Sequence, residues 1–207
     1  KKSNPETGYS TDLIATAASN FILKHSKEEP FFCYVPFNAP HSPFQAPEKY
    51  IKKFQHLAGL NSKGKNKSLR QVVAAMVSCM DDGIGKILKA IDTSGEANNT
   101  IVWFFSDNGG IGGLQKNNLP LRGNKLDVWE GGVRVAAAIR WPNGGVQGGL
   151  KISVPLSCID VCPTLINVSG GDDVSSGNKA FDCFDVLYIL KGNFRNLNRE
   201  LYFYHGQ

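Results

Sequence analysis

The stretch "NNTIVWFFSDNGG", Asn98 to Gly110, constrains the fold more than any other. Ile101 to Phe105 is apolar without a break and rich in β-branched and aromatic residues, the pattern of a strand buried on both faces. It ends abruptly in Ser106, Asp107, Asn108 and two glycines. "PFFCYVPF", Pro30 to Phe37, is a second run of this kind, and "VRVAAAIRWP", Val133 to Pro142, is a third. Helical stripes lie around them. Thr11 to Lys24 carries Leu13, Ile14, Ala17, Ala18, Phe21 and Ile22, and apolar residues recur at helical spacing from Leu69 to Ile91. Helices alternating with continuous apolar strands predict an α/β fold with a mostly parallel central sheet and helices on both faces. Phe31–Pro36, Ile101–Phe105 and Val135–Ile139 are expected as neighbouring strands, with Phe104 fully buried. Further on, the sequence predicts a short helix from Pro163 to Val168, a loop from Gly170 to Asn178 and a last strand in "ELYFYHG".

Composition excludes several classes. Hydrophobic content of 42% and charged content of 20% in 207 residues suit a globular domain with a real core. No apolar run approaches the length of a membrane span. The net charge of +5 suits an anionic partner. The lysine clusters at 1–2, 52–53 and 63–67 lack interleaved aromatics and read as solvated loops and helix ends, so no nucleic acid is expected. No C-x-x-C pair occurs. Cys33 and Cys79 fall in apolar segments and read as buried thiols. Cys158 or Cys162 could pair with Cys183, and the connectivity stays open. Sequons begin at Asn66, Asn98 and Asn167 and favour the secretory pathway.

Ligands of open α/β sheets collect at the carboxyl ends of strands. Two loops leave such ends: "NAPHSP" after Phe37 and "DNGG" after Ser106. His41 sits between two prolines. Asp107 and Asn108 offer oxygen ligands, which suit Ca²⁺, or less well Mg²⁺, rather than zinc. Gly109 and Gly110 would let the chain turn around the ion. An ordinary turn is built from the same residue types.

Several ordered motifs together are more specific. They are "GYSTDLIA", "PFFCYVPFNAPHSPFQAPEKY", "MVSCMDDGIGKIL", "NNTIVWFFSDNGG", "LRGNKLDVWEGGVR" and "DVCPTLINVSG", with a weaker echo in "FDCFDVL" and "RELYFYH". In this order they resemble sulfatases of the alkaline-phosphatase-like superfamily. The wording of "LRGNKLDVWEGGVR" and "FDCFDVL" is most similar to the arylsulfatase B type, the N-acetylgalactosamine-4-sulfatases. The resemblance implies an α/β alkaline-phosphatase-like domain and calcium-dependent hydrolysis of sulfate esters, notably of sulfated carbohydrates, in a lysosomal or extracellular glycoprotein. It implies Asp107 and Asn108 as calcium ligands. His41 would contact the sulfate and protonate the leaving alcohol oxygen, and Lys125 would bind a sulfate oxygen near the ion. A cation and a lysine stabilise charge on nonbridging oxygens. A protonated imidazole serves the leaving oxygen.

Other residues carry blander readings. Glu130 and Arg134 read as a structural pair, and Arg122 stays open between packing and anion contact. Asp81 and Asp82 lie in the long helical stripe and read as structural or solvated. "DVCPT" reads as a helix start rather than a nucleophile site. The family's formylglycine motif, C-x-P-S-R or C-x-A-S-R, does not occur in these residues. The chain is therefore expected to be the downstream part of one sulfatase catalytic domain. The nucleophile would lie in the absent N-terminal portion, and 171–207 would lead towards a C-terminal subdomain. Two alternatives stand beside this reading: a non-catalytic protein that binds sulfated glycans, and a phosphoester or phosphonate hydrolase of the same superfamily.

Overall fold

The longest apolar stripe sets the first half of the molecule. In a computed structural model, which describes residues 7–25, 29–58, 68–112, 114, 117–171, 182–193 and 197–205, it forms helix α3, Leu69–Ser94. Ser68 caps it by accepting a hydrogen bond from the Gln71 amide at 3.1 Å. Gly95 ends it in the left-handed conformation at φ 85°, where a side chain would be strained. Helix α1, Ser10–His25, and helix α2, Glu48–Lys53, pack against it. The buried side of α1 is Thr11, Ala15, Ala18, Ser19 and Ile22, so Ile22 and four small residues, rather than Leu13 or Phe21, face the interior. Tyr50, Ile51, Ala75 and Cys79 form a core with Tyr9, Ala46, Phe54 and Val72 around it. Asp82 accepts from the Tyr50 hydroxyl at 2.7 Å and lies 3.9 Å from the Lys53 ammonium, in keeping with its structural reading.

The chain resolves into two compact units, 1–97 and 98–207. In the second, β1 (Val102–Phe105) pairs with β2 (Ala137–Arg140) in an antiparallel ladder, with Trp103 opposite Ile139 and Phe104 opposite Ala138. Helix α4 is Glu130–Val133, α5 is Val161–Val168 and α6 is Leu187–Leu190. Val186, Ile189 and Leu190 form the core here, packed on Trp103, Ile139, Val146, Ile152, Val154, Leu156 and Leu197.

Four expectations are corrected. Among the described residues the sheet has two strands, which run antiparallel: of the three expected neighbours, Ile101–Phe105 and Val135–Ile139 pair and Phe31–Pro36 does not. Exposure alternates residue by residue along Phe31–Pro36, but the segment joins no ladder; Phe32 and Tyr34 are each 75% exposed. Pro36 removes one donor from it, and Pro30 another just ahead of it. Phe104 is 39% exposed, because Trp103 and Ile139 take the packed face of the ribbon and alternation turns Phe104 to the other. Finally, "ELYFYH" forms no ladder, and Tyr202 and Tyr204 are exposed. All five cysteines are free thiols. Asn66, the lysines at 1–2 and 63–67, and most of the loop expected at Gly170–Asn178 lie outside the described residues.

Candidate active site

Strand β1 delivers Asp107 and Asn108 at its carboxyl end, Asp107 exposed and Asn108 half-buried. The Asn108 Nδ2 donates to Asp107 Oδ2 at 2.6 Å, and the Ser106 hydroxyl donates to the Asn108 carbonyl at 2.9 Å. The pair is thus held side by side on a strand whose position the ladder fixes.

The backbone then passes close to "LRGNKLDVWEGGVR". The Gly109 amide donates to the Gly132 carbonyl at 2.9 Å, and the Gly110 carbonyl accepts from the Lys125 amide at 2.8 Å. A Cβ on Gly109 would lie 1.8 Å from the Gly131 carbonyl oxygen. Neither Gly109 nor Gly110 has a positive φ. Close approach of two backbones, rather than an unusual turn, requires glycine at 109, which corrects the expectation of a special backbone angle. The second segment makes the same demand: a Cβ on Gly131 would meet the Gly123 carbonyl at 2.2 Å.

Lys125 is half-buried, and its neighbour Leu126 sits at φ 79°, a left-handed conformation uncommon for a branched residue. A tight turn holds it there. The Asp127 carboxylate accepts from the Asn124 amide at 2.8 Å, and the Asp127 amide donates to the Asn124 carbonyl at 2.9 Å. Arg122 stacks on the Trp129 ring, 3.9 Å from its centroid, a contact that fits the packing reading. Glu130 and Arg134 form the anticipated pair at 3.2 Å across one turn of α4, with both side chains exposed. An exposed pair of this kind contributes little to stability. Asn108, Gly110, Asn117, Asn118, Leu119 and Arg134 help to line an open cleft of about 540 Å³ at this place.

His41 belongs to the first unit. It is exposed, in the turn after Phe37, with Nδ1 2.9 Å from the Ser42 carbonyl and its amide donating to the Asn38 carbonyl at 2.8 Å. The second unit by itself brings together Asp107, Asn108 and the backbone of Lys125.

The donor set fits a hard cation in kind, since both side chains present oxygen. No group of three or more His, Cys, Asp or Glu side chains able to hold a metal occurs among the described residues. Ca²⁺ takes 6–8 oxygens, so these residues supply a part of such a sphere.

Two features have no motif signal. Asn118, inside "QKNNLP", bridges the two loop segments of the site. Asp160, in "DVCPT", is fully buried; it pairs with Arg199 through two 2.5 Å contacts and also accepts from the amides of Ser157 and Phe184. Burial pushes its carboxyl up, but the Arg199 guanidinium and those two amides outweigh burial and hold it below the usual range. Cys162 is exposed in the first turn of α5, which bears out "DVCPT" as a helix start.

A family model of sulfatases matches residues 1–171. The chain belongs to the sulfatase family. It is 33% identical over 163 residues to arylsulfatase J of Mus musculus, a match covering 79% of this chain and 26% of that protein. With N-acetylglucosamine-6-sulfatase of Homo sapiens it shares 28% over 214 residues, covering 91% of this chain and 37% of that one. Among solved structures it resembles Ps i-CgsB, determined in complex with k-i-k-neocarrahexaose, with a TM-score of 0.81 and 33% identity over 93% of this chain and 40% of that chain. This sulfatase chain therefore spans between about a quarter and two-fifths of the length of these relatives. Its fold is part of the alkaline-phosphatase-like α/β domain, and its two-stranded sheet is a fraction of that architecture.

Proposed function

We propose that the protein to which this chain belongs hydrolyses sulfate esters of carbohydrates with the help of Ca²⁺, in the lysosome or outside the cell. The observation that carries this reading is the 2.8 Å bond between the Lys125 amide and the Gly110 carbonyl, which brings the backbone of Lys125 against the loop that follows Asp107 and Asn108. Asp107 and Asn108 would hold the ion, which when bound supplies positive charge against the nonbridging sulfate oxygens. Lys125 supplies a second positive charge to the same group. His41 donates a proton to the leaving alcohol oxygen. The family's formylglycine, expected outside these residues, is the nucleophile. The names of the relatives support a carbohydrate ester: one is an N-acetylglucosamine-6-sulfatase, and a solved structure of another holds a neocarrahexaose.

The test uses the protein expressed from its complete reading frame. Asp107→Ala is expected to abolish measurable Ca²⁺ binding and to lower kcat on an aryl sulfate at least 100-fold, with the variant still folded. Unchanged Ca²⁺ affinity in a folded Asp107→Ala variant would refute the metal assignment. A reading frame without C-x-P-S-R or C-x-A-S-R upstream would instead point to a glycan-binding protein without turnover.

A further inference from the structure

We infer that Asn118 is a positioning residue that sets the distance between the Asp107–Asn108 pair and Lys125. The inference rests on the proposed function, since it gives Lys125 a sulfate to meet. One side-chain amide reaches three places on the backbone of the site. The Asn118 Oδ1 accepts from the Gly110 amide at 3.0 Å. Its Nδ2 lies 3.2 Å from the Gly110 carbonyl, 2.9 Å from the Gly123 carbonyl and 3.2 Å from Asn124 Oδ1. The pattern fixes the orientation of the amide, because Gly110 N–H needs an acceptor while the two carbonyls need donors. The Gly110 carbonyl also accepts from the Lys125 amide, so Asn118 and Lys125 share one acceptor.

No other side chain of this size offers a donor and an acceptor in that arrangement. Aspartate lacks the donors, leucine lacks both, and glutamine is a methylene longer. The mechanical need is plain. Asp107 and Asn108 follow directly from a paired strand, whereas Lys125 lies in a long irregular segment between β1 and α4. Among the described residues, the backbone tie of Lys125 to the "DNGG" loop is its bond to Gly110. Asn118 adds a second crossing, from Gly110 to Gly123 and Asn124, just ahead of Lys125. Without it the lysine would swing relative to an anion held at the strand end, while the strand end itself would stay where it is.

The experiment is a double-mutant cycle on the complete protein, read by calorimetric titration with inorganic sulfate in saturating Ca²⁺, so turnover is not needed. Asn118→Ala is expected to weaken sulfate binding about tenfold. In a Lys125→Ala background the same change should weaken it less than twofold, because the lysine it positions is gone. Ca²⁺ affinity should move less than twofold in Asn118→Ala. Asn118→Ser, whose hydroxyl can still meet Gly110, should lie between and serves if the alanine variant does not fold. A merely structural role would lower the melting temperature in both backgrounds without the difference in sulfate affinity. Unchanged sulfate affinity in folded Asn118→Ala or Asn118→Ser, or an equal loss in the Lys125→Ala background, would overturn the positioning role and leave that of Lys125 standing. If Lys125→Ala alone leaves sulfate binding unchanged, the sulfate role of Lys125 fails first, and this assignment fails with it.

Discussion

Replacing Arg199 by alanine should be among the most damaging single changes in the second unit. The Asp160 carboxylate is 0% exposed and the Arg199 side chain 8%. Their contacts are 2.5 Å from Nη1 to Oδ1 and 2.5 Å from Nη2 to Oδ2, a forked pair. Arg199→Ala removes both and leaves a buried carboxylate with two amide donors, Ser157 at 2.8 Å and Phe184 at 3.1 Å. Hydrogen bonds to charged groups are worth about 1.5–3 kcal/mol each, and stripping a buried ion of its partner costs about 3–5 kcal/mol. The two routes agree on a loss of roughly 3–5 kcal/mol, a large share of a domain's total stability. Urea denaturation at pH 7 measures it. Acid supplies a second signature. A carboxyl held below its usual value in the folded state stabilises the fold above its unfolded pKa of about 3.9, and that contribution is lost as pH falls through the folded value. In Arg199→Ala nothing of that strength opposes burial, so the carboxyl rises, and the gap between the two proteins narrows as pH falls through the variant's higher value. Arg199→Lys keeps the charge without the fork and should fall between. A gap under about 1 kcal/mol at pH 7, or one as wide at pH 3 as at pH 7, would show that the pair does not anchor the fold as argued.

Two further outcomes follow from the site. Gly109→Ala forces a methyl group into backbone atoms of Gly131 that cannot retreat as a side chain could; urea denaturation should show a loss of at least about 2 kcal/mol, and a neutral result would contradict the close approach. His41→Ala, in the complete protein, should slow esters with poor leaving alcohols far more than activated aryl sulfates, since only the former need a proton donor. Equal slowing of both classes in steady-state assays would remove His41 from that role.

The helices α1, α3 and α5 were legible because a helix is written locally, in apolar spacing and end signals. The carboxyl end of β1 and the place of Asp107 and Asn108 beside it were legible for a similar reason: an apolar run that stops in an acid and an amide announces both the strand and the residues that follow it. Tertiary structure decided the rest. Whether Phe31–Pro36 finds a ladder depends on a neighbouring strand, which its own residues do not specify. Which side of β1 packs is set by α6 and the segment around Val154, so Trp103 is covered and Phe104 is not. Gly109 looked like a turn residue, and only the backbone of Gly131 shows that it is a contact residue. Asn118 and the Asp160–Arg199 pair carry no signal of their own, because a hydrogen bond between distant residues leaves no period or spacing in the chain. Sequence determines what each segment can be by itself; contacts between residues far apart in the chain determine which groups are buried, paired and held in place for chemistry.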